Sequence, residues 1–284
     1  MTRNVENLRP LPPFIAAAVA GLCWPLSPSE QPPLFFEPLE RMQSIRAAAS
    51  TQPSSSTAAA AIAANVLGAI QLLSDTNTTN TGVPTTITTN QEYLARVAIA
   101  LLLLGHGYTD EAHDLVSPLS WPRETPFSYG PPVALEKADS IAVAAYTHAL
   151  VHRREGRNAS EFGLTGHQNA NYWTGASLRS GGEEMLPRAE VHAAVNAAAA
   201  KAANTATEEA AVAWCRETAA QSPDWEPRFL NELCVSVTMG QETLLKDFAE
   251  QAAVAELKVL LAHVLQSAGF DAAVVLQSDG EEQR

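Results

Sequence analysis

Alanine-rich runs constrain the fold of this chain more than any other feature of its sequence. Two of them read AAAAIAANV (58–66) and VHAAVNAAAAKAA (191–203). Alanine has the highest helix propensity, because it loses no side-chain entropy in a helix. The apolar–polar alternation that is typical of strands is scarce, apart from CVSVT and AAVVL. We therefore predict an all-α fold of stacked antiparallel helical hairpins around one core.

Breaks in the helical pattern divide the 284 residues into one large domain with short tails. A chain of this length is sufficient to bury a sizeable core. The domain is predicted over 14–270, between a loose, proline-bearing tail over 1–13 and a solvated tail over 271–284. Within the domain, the Thr- and Asn-rich stretch over about 75–90 has little to bury and predicts a flexible insertion.

Capping and helix-breaking residues set the bounds of the predicted helices. A helix over 91–105, capped by Asn90 and ended by Gly105, is followed by an antiparallel helix over 111–116. The prolines in 117–132 predict an irregular loop, because proline lacks an N–H and fixes φ. Further helices are predicted over 133–155, 168–178 (with Asn169 as its cap), 186–204, 206–221, 228–238 and 241–268.

Charge and cysteine usage exclude some classes of function. The net charge is −13, with only 18 lysines and arginines and no long basic run. Because nucleic acids bind through lysine and arginine, a nucleic-acid partner is not expected. The three cysteines lie far apart without a C-x-x-C pair, which indicates a reducing, cytoplasmic compartment. The apolar segment over 14–23 is too short to span a membrane, and a short buried helix fits it better than a secretory signal.

One polar cluster, in the run AYTHALVHRREG, has the residue types and the spacing of a functional site. His148 and His152 are four residues apart, and Glu155 follows three residues later. At 100° per residue the three side chains fall on one helix face within about 60°. Two imidazoles and a carboxylate that converge in this way can ligate zinc or ferrous iron, or can form an acid/base set with the three residues as catalytic groups.

Three interpretations of this cluster remain open from the residues alone. The pattern favours a structural polar network most. A metal-free ligand or catalytic site comes second, and a zinc or iron site with His148, His152 and Glu155 as ligands comes third. In the second interpretation Arg153 and Arg154 would hold an anion such as a carboxylate or phosphate.

Neighbouring segments offer additional side chains to this site. Asn171 and Tyr172, on the next predicted helix, are candidate ligand-binding residues. His106 and His113, on the preceding hairpin, would supply further metal ligands, although each alone is more typical of a surface or capping residue.

These residues also carry a resemblance to a known family. HALVHRREG and NANYW resemble the H-x-x-x-H-R-R-E-G and N-A-x-Y-W signature of an uncharacterised family of helical proteins from bacteria and fungi. DWEPRFLNELC and ELKVLLAHV resemble two later segments of that family, so the likeness spans about 93–265. The chain departs from the signature after Gly156, where Arg157 and Asn158 precede the inserted ASEFGLTGHQ, and at Thr174 and Gly175. The resemblance supports the same choice of candidate residues, but it implies no particular reaction.

Two functions follow from these observations. The first is a protein whose polar pocket binds a small, anionic ligand or a metal, with Glu155 or His152 as proton carrier if it is an enzyme. The second is a protein-interaction module that resembles tetratricopeptide repeats, because GYTDEA and NANYW follow helices that end in glycine. In the second case the polar cluster is structural and the partner is another protein. The sequence leaves the oligomeric state open.

Overall fold

The computed structural model describes a little under half of the chain. The described residues are 89–121, 140–158, 163–182, 185–205, 230, 231, 233, 243–269 and 276. The predicted tails, the segment over 14–23, the insertion up to residue 88 and all three cysteines lie outside them. So do the helix predicted over 206–221 and the first residues of the one predicted from 133.

The described residues form six α-helices and contain no strand, which confirms the predicted all-α class. The helices are α1 (Thr89–Gly105), α2 (Thr109–Ser120), α3 (Ile141–Glu155), α4 (Gly166–Ser177), α5 (Arg188–Thr205) and α6 (Thr243–Ser267). After α4 the chain passes through Leu178–Gly182, where Ser180 and Gly181 have non-helical backbone angles, as expected for the turn predicted from residue 179. Within this part of the chain, no helix has the length and apolar character needed to cross a membrane.

Helices α1 and α2 form a hairpin around a glycine turn. Helix α1 ends at Gly105, as predicted, and the turn residue Gly107 has a φ of 93°, a left-handed conformation that glycine adopts without strain. The Tyr108 N–H donates to the Leu103 carbonyl at 2.9 Å, which satisfies a carbonyl that the helix end would leave unpaired. Asn90 lies inside the first turn of α1 and is therefore not its cap; its Oδ1 accepts a hydrogen bond from Ser140.

Helix α2 continues further than the prolines suggested. The prediction of an irregular loop from residue 117 is wrong for its first four residues, because α2 extends through Pro118 to Ser120. Tertiary contacts stabilise this last turn. The single proton of the Ser120 hydroxyl is shared between the carbonyls of Val116 at 2.8 Å and Ala144 at 3.2 Å, and the Tyr93 hydroxyl donates to the Leu119 carbonyl. These bonds and the burial of the turn compensate for the backbone hydrogen bond that Pro118 cannot donate.

Helix α3 is the centre of the described structure. All of its residues from Ile141 to Arg154 are buried, and it packs against α1, α2, α4 and the turn that follows α4. Its alanines present small side chains that allow the neighbouring helices to approach closely. The main apolar core joins α1, α2 and α3 to α5 and α6. A helix buried on all sides must find partners for its polar side chains inside the protein.

The start of α4 is locked against the end of α3. Thr165 caps α4 by accepting from the Gln168 N–H, and the Gln168 side chain accepts from the Thr165 N–H in return, so Asn169 is not the cap that was predicted. Gly166 lies against the α3 backbone: a Cβ on it would be 2.4 Å from the His152 carbonyl oxygen and 2.7 Å from the Glu155 Cβ. Only glycine fits this contact.

We expect Gly166→Ala to lower the free energy of unfolding by about 3 kcal/mol, at the upper end of what overpacking costs, because the new methyl overlaps backbone atoms. Gly163→Ala is the matched control, since that position has open space and only a φ of 76° to strain it; its expected cost is about 1 kcal/mol. Denaturant unfolding of the two variants measures the difference. Equal losses would contradict the close contact.

Candidate metal centre

Three histidine rings meet where α2 faces α3. His148 and His152, one turn apart on α3, stack with ring centroids 4.7 Å apart. His113 of α2 meets both of them edge-on, with centroid distances of 4.8 Å to His148 and 5.1 Å to His152. One ring nitrogen from each histidine lies within 4.8 Å of the other two. No other group of three or more histidine, cysteine or acidic residues is close enough to hold a metal ion in the described part of the chain.

His148 forms the buried floor of this cluster. It is 2% exposed, and the Trp173 ring of α4 stacks on it with a centroid distance of 4.2 Å. Neither Nδ1 nor Nε2 of His148 has a hydrogen-bond partner among the described residues. A neutral imidazole has one N–H donor and one lone-pair acceptor, and a buried polar group without a partner costs about 1–3 kcal/mol. His148 therefore lacks the partners that its burial requires.

The surroundings of His148 favour its neutral form. Burial lowers the pKa of His148 well below its usual value, and the charges of His152 and His113 lower it further. At neutral pH the ring therefore keeps a lone pair. A neutral imidazole with an available lone pair is the form that binds transition metals.

Glu155 is hydrogen-bonded to His152. Its Oε2 is 2.7 Å from Nδ1 of His152, which leaves Nε2 as the nitrogen of His152 that Glu155 does not engage. Burial raises the pKa of Glu155, but the hydrogen bond from His152 and the charges of His152 and His113 outweigh it, so the pKa lies below its ordinary value. A carboxylate that binds one ring nitrogen of a histidine is a common means of orienting the other nitrogen toward a metal.

Arg153 and Arg154 have protein partners on other helices. Arg153 forms a buried ion pair with Glu256 of α6, with Nη1 2.5 Å from Oε2, and its Nε donates to Asn231 at 2.8 Å. Nη1 of Arg154 donates to the carbonyl of Leu104, in the last turn of α1, at 3.1 Å. Both guanidinium groups are buried. The two arginines that the sequence analysis assigned to an anion thus connect α3 to α6 and to α1.

The same buried network extends towards α4. The Tyr146 hydroxyl donates to Glu256 at 2.5 Å, and burial together with that carboxylate holds the pKa of Tyr146 well above its ordinary value. The Asn231 amide donates to Thr174 at 3.0 Å and to Asn171 at 3.1 Å. Asn171 therefore lies at the outer end of the Arg153 network.

Tyr172, another candidate ligand-binding residue, lies on the surface. It is 50% exposed, and its ring meets Trp173 edge-on at 5.2 Å. Trp173 in turn contacts Trp121 at 4.8 Å. Tyr172 thus lies at the protein surface next to Trp173, the ring that stacks on His148.

The structure brings together His148, His152 and Glu155, as the one-face spacing predicted. It adds His113, which the sequence offered only as one of two further ligands. It also adds Trp173, which lies in the NANYW segment but which sequence reasoning had not assigned to the site. Glu256 is the other addition that sequence reasoning missed, and nothing in the local sequence of α3 indicates it.

The spacing of the imidazoles is wider than that of a bound site. Zinc–nitrogen bonds of about 2.0–2.1 Å in a tetrahedral site place ligand nitrogens about 3.3 Å apart, so the widest pair here would close by roughly 1.5 Å. His113 is the least buried of the three, with 22% of its side chain exposed.

Comparison with known proteins adds little to this geometry. A family model described as "Protein of unknown function (DUF760)" matches residues 27–110, less than a third of the chain. The match ends before His113, so all three histidines of the cluster lie outside it. Neither curated proteins nor solved structures give a match to this chain.

We expect His148→Leu to leave the free energy of unfolding of the metal-free protein unchanged or to raise it by about 1 kcal/mol, because it removes a buried polar group that lacks partners. Ser177→Ala is the control of opposite sign, since the Ser177 hydroxyl is buried and donates to the Ala142 carbonyl at 2.6 Å. Its loss should cost about 1 kcal/mol. Denaturant unfolding after chelator treatment measures both. A loss above about 2 kcal/mol for His148→Leu would contradict the lack of partners.

Proposed function

We propose that this protein binds a divalent transition-metal ion through His113, His148 and His152. The observation that supports this most directly is His148, which is buried and neutral with both ring nitrogens unpartnered among the described residues, while two other imidazoles lie next to it. A metal ion supplies the partner that a buried lone pair needs. Glu155 holds His152 from behind and adds negative charge near the ion.

The ligand set indicates the class of metal. Imidazole nitrogen suits zinc, iron, copper and nickel, whereas magnesium and calcium prefer oxygen ligands. Zinc and ferrous iron are therefore the ions we assign first. Arg153 and Arg154 receive no ligand role in this proposal, because Glu256, Asn231 and the Leu104 carbonyl already bind their guanidinium groups.

The metal-free, full-length protein is expected to bind one equivalent of Zn²⁺. At a concentration 100 times the Kd, bound zinc should raise the free energy of unfolding by about 2.7 kcal/mol. His113→Ala, His148→Leu and His152→Ala should each weaken binding by more than about 100-fold, beyond the usual effect of residues outside the ligand set. Calorimetric titration measures the affinity, and mass spectrometry measures the metal content of the protein as purified.

His192→Ala is the control for these variants, because His192 lies on α5 outside the cluster, with its Nε2 3.1 Å from Asn196. It should bind zinc like the unaltered protein. Failure of the unaltered protein to bind zinc, ferrous iron or cobalt would overturn the proposal. So would equal losses for His192→Ala and the cluster variants.

Glu155 is expected to orient His152 and not to bind the ion itself. Glu155→Ala should therefore weaken zinc binding by about 10–100-fold, and Glu155→Gln, which keeps an acceptor oxygen for the His152 N–H, should restore most of that loss. Glu190→Ala, at an exposed position of α5, serves as the control. If Glu155→Gln loses as much affinity as Glu155→Ala, the carboxylate is a direct ligand and the orienting role is wrong.

A helical interaction module that resembles tetratricopeptide repeats is the second candidate function. Its support is the α1–α2 hairpin and the consecutive packing of α2 on α3 and of α3 on α4. The internal partners of Arg153 and Arg154 also suit a structural polar network. In that case His152→Ala should lower the free energy of unfolding without any change in metal content. The metal site instead predicts that the variant folds but no longer binds zinc.

A further inference from the structure

The two sides of the histidine cluster differ in their access to solvent. On the inner side, Trp173 covers His148 and packs with Ala145 and Ala149 in a small apolar cluster. On the outer side, 22% of the His113 side chain and 23% of the Glu155 side chain are exposed. His113 and Glu155 are therefore the members of this group that contact solvent, whereas His148 is buried beneath Trp173.

The described protein residues supply three ligands, whereas a zinc-like ion takes four or more. Glu155 is the nearest additional acidic group, but its Oε2 is engaged on Nδ1 of His152 at 2.7 Å. Glu155 is also not one of the groups whose ligand atoms lie within 4.8 Å of one another. Asp114 is likewise outside that group, with Oδ1 3.8 Å from Nδ1 of His113.

The three ligands themselves carry no negative charge that would exclude an anion from the remaining position. Three neutral imidazoles leave the two positive charges of the ion uncompensated by its ligands. The guanidinium groups of Arg153 and Arg154 are buried among partners of their own, so they do not compete for an incoming anion. Structural metal sites fill all their positions with protein ligands, whereas sites with three protein ligands keep a position for water or substrate.

We propose that the ion held by His113, His148 and His152 keeps one exchangeable coordination position, open to solvent between His113 and Glu155, that binds a small anion. This inference rests on the metal site proposed above. A metal site with such a position can act on or sense a small anionic ligand. A metal that only stabilises the fold has no position of this kind.

Cobalt(II) tests the inference, because its visible absorption reports the number and type of its ligands. The full-length, metal-free protein is loaded with one equivalent of Co²⁺ and titrated with sodium azide, a small anion that binds open positions. We expect a saturable shift of the visible bands with a stoichiometry of one azide per cobalt. His192→Ala should reproduce the shift, and sodium perchlorate at equal ionic strength should not cause it.

The outcomes separate this inference from the metal site itself. If cobalt binds in a histidine-dependent manner and the spectrum does not respond to azide, the exchangeable position is wrong while the metal site stands. If cobalt does not bind, both are overturned. A shift of equal size with perchlorate would show an effect of ionic strength and would also overturn the exchangeable position.

Discussion

The burial of α3 on every side is the constraint on which the described structure depends. A helix in this position is usually apolar, yet α3 carries a tyrosine, a threonine, two histidines and two arginines among its buried residues. Each of these groups loses its hydration on folding and must regain hydrogen bonds from the protein. Outside α3 itself, the hydrogen-bond partners come from Leu104 of α1, from Asn231 and from Glu256 of α6, so α3 fixes the arrangement of its neighbours as well as its own conformation.

Helix geometry divides the run HRRE between separate tasks. Successive residues lie 100° apart, so His152, Arg153 and Arg154 point in three directions although they are adjacent in sequence. His152 meets His113 of α2, Arg153 pairs with Glu256 of α6, and Arg154 caps the end of α1. The positive charge of Arg154 at the carbonyl end of α1 also suits the helix dipole. The run that resembles one site in the sequence thus contributes His152 to the candidate site, while its two arginines connect α3 to other helices.

The sequence could predict which residues share a face of one helix, but it could not predict which residues of other helices contact that face. The shared face of His148, His152 and Glu155 follows from their spacing alone. His113 joins them only because α2 lies against α3, and Glu256 reaches Arg153 from 103 residues away. Likewise, Pro118 reads as a helix breaker until the bonds from Ser120 and Tyr93 are known. Local rules give helices and faces, whereas partners across helices require the tertiary structure.

His148 differs from the other polar residues of α3 in a way that bears on function. Tyr146, Thr147, His152, Arg153 and Arg154 all have partners among the described residues, and His148 has none. If α3 needed only to pack, leucine at this position would avoid the cost of two unpartnered nitrogens. A histidine there, stacked on Trp173 and beside two more imidazoles, instead provides a preorganised lone pair. Because Trp173 and His152 both stack on that ring, the proposed metal site would gain a ligand whose position the fold has already ordered.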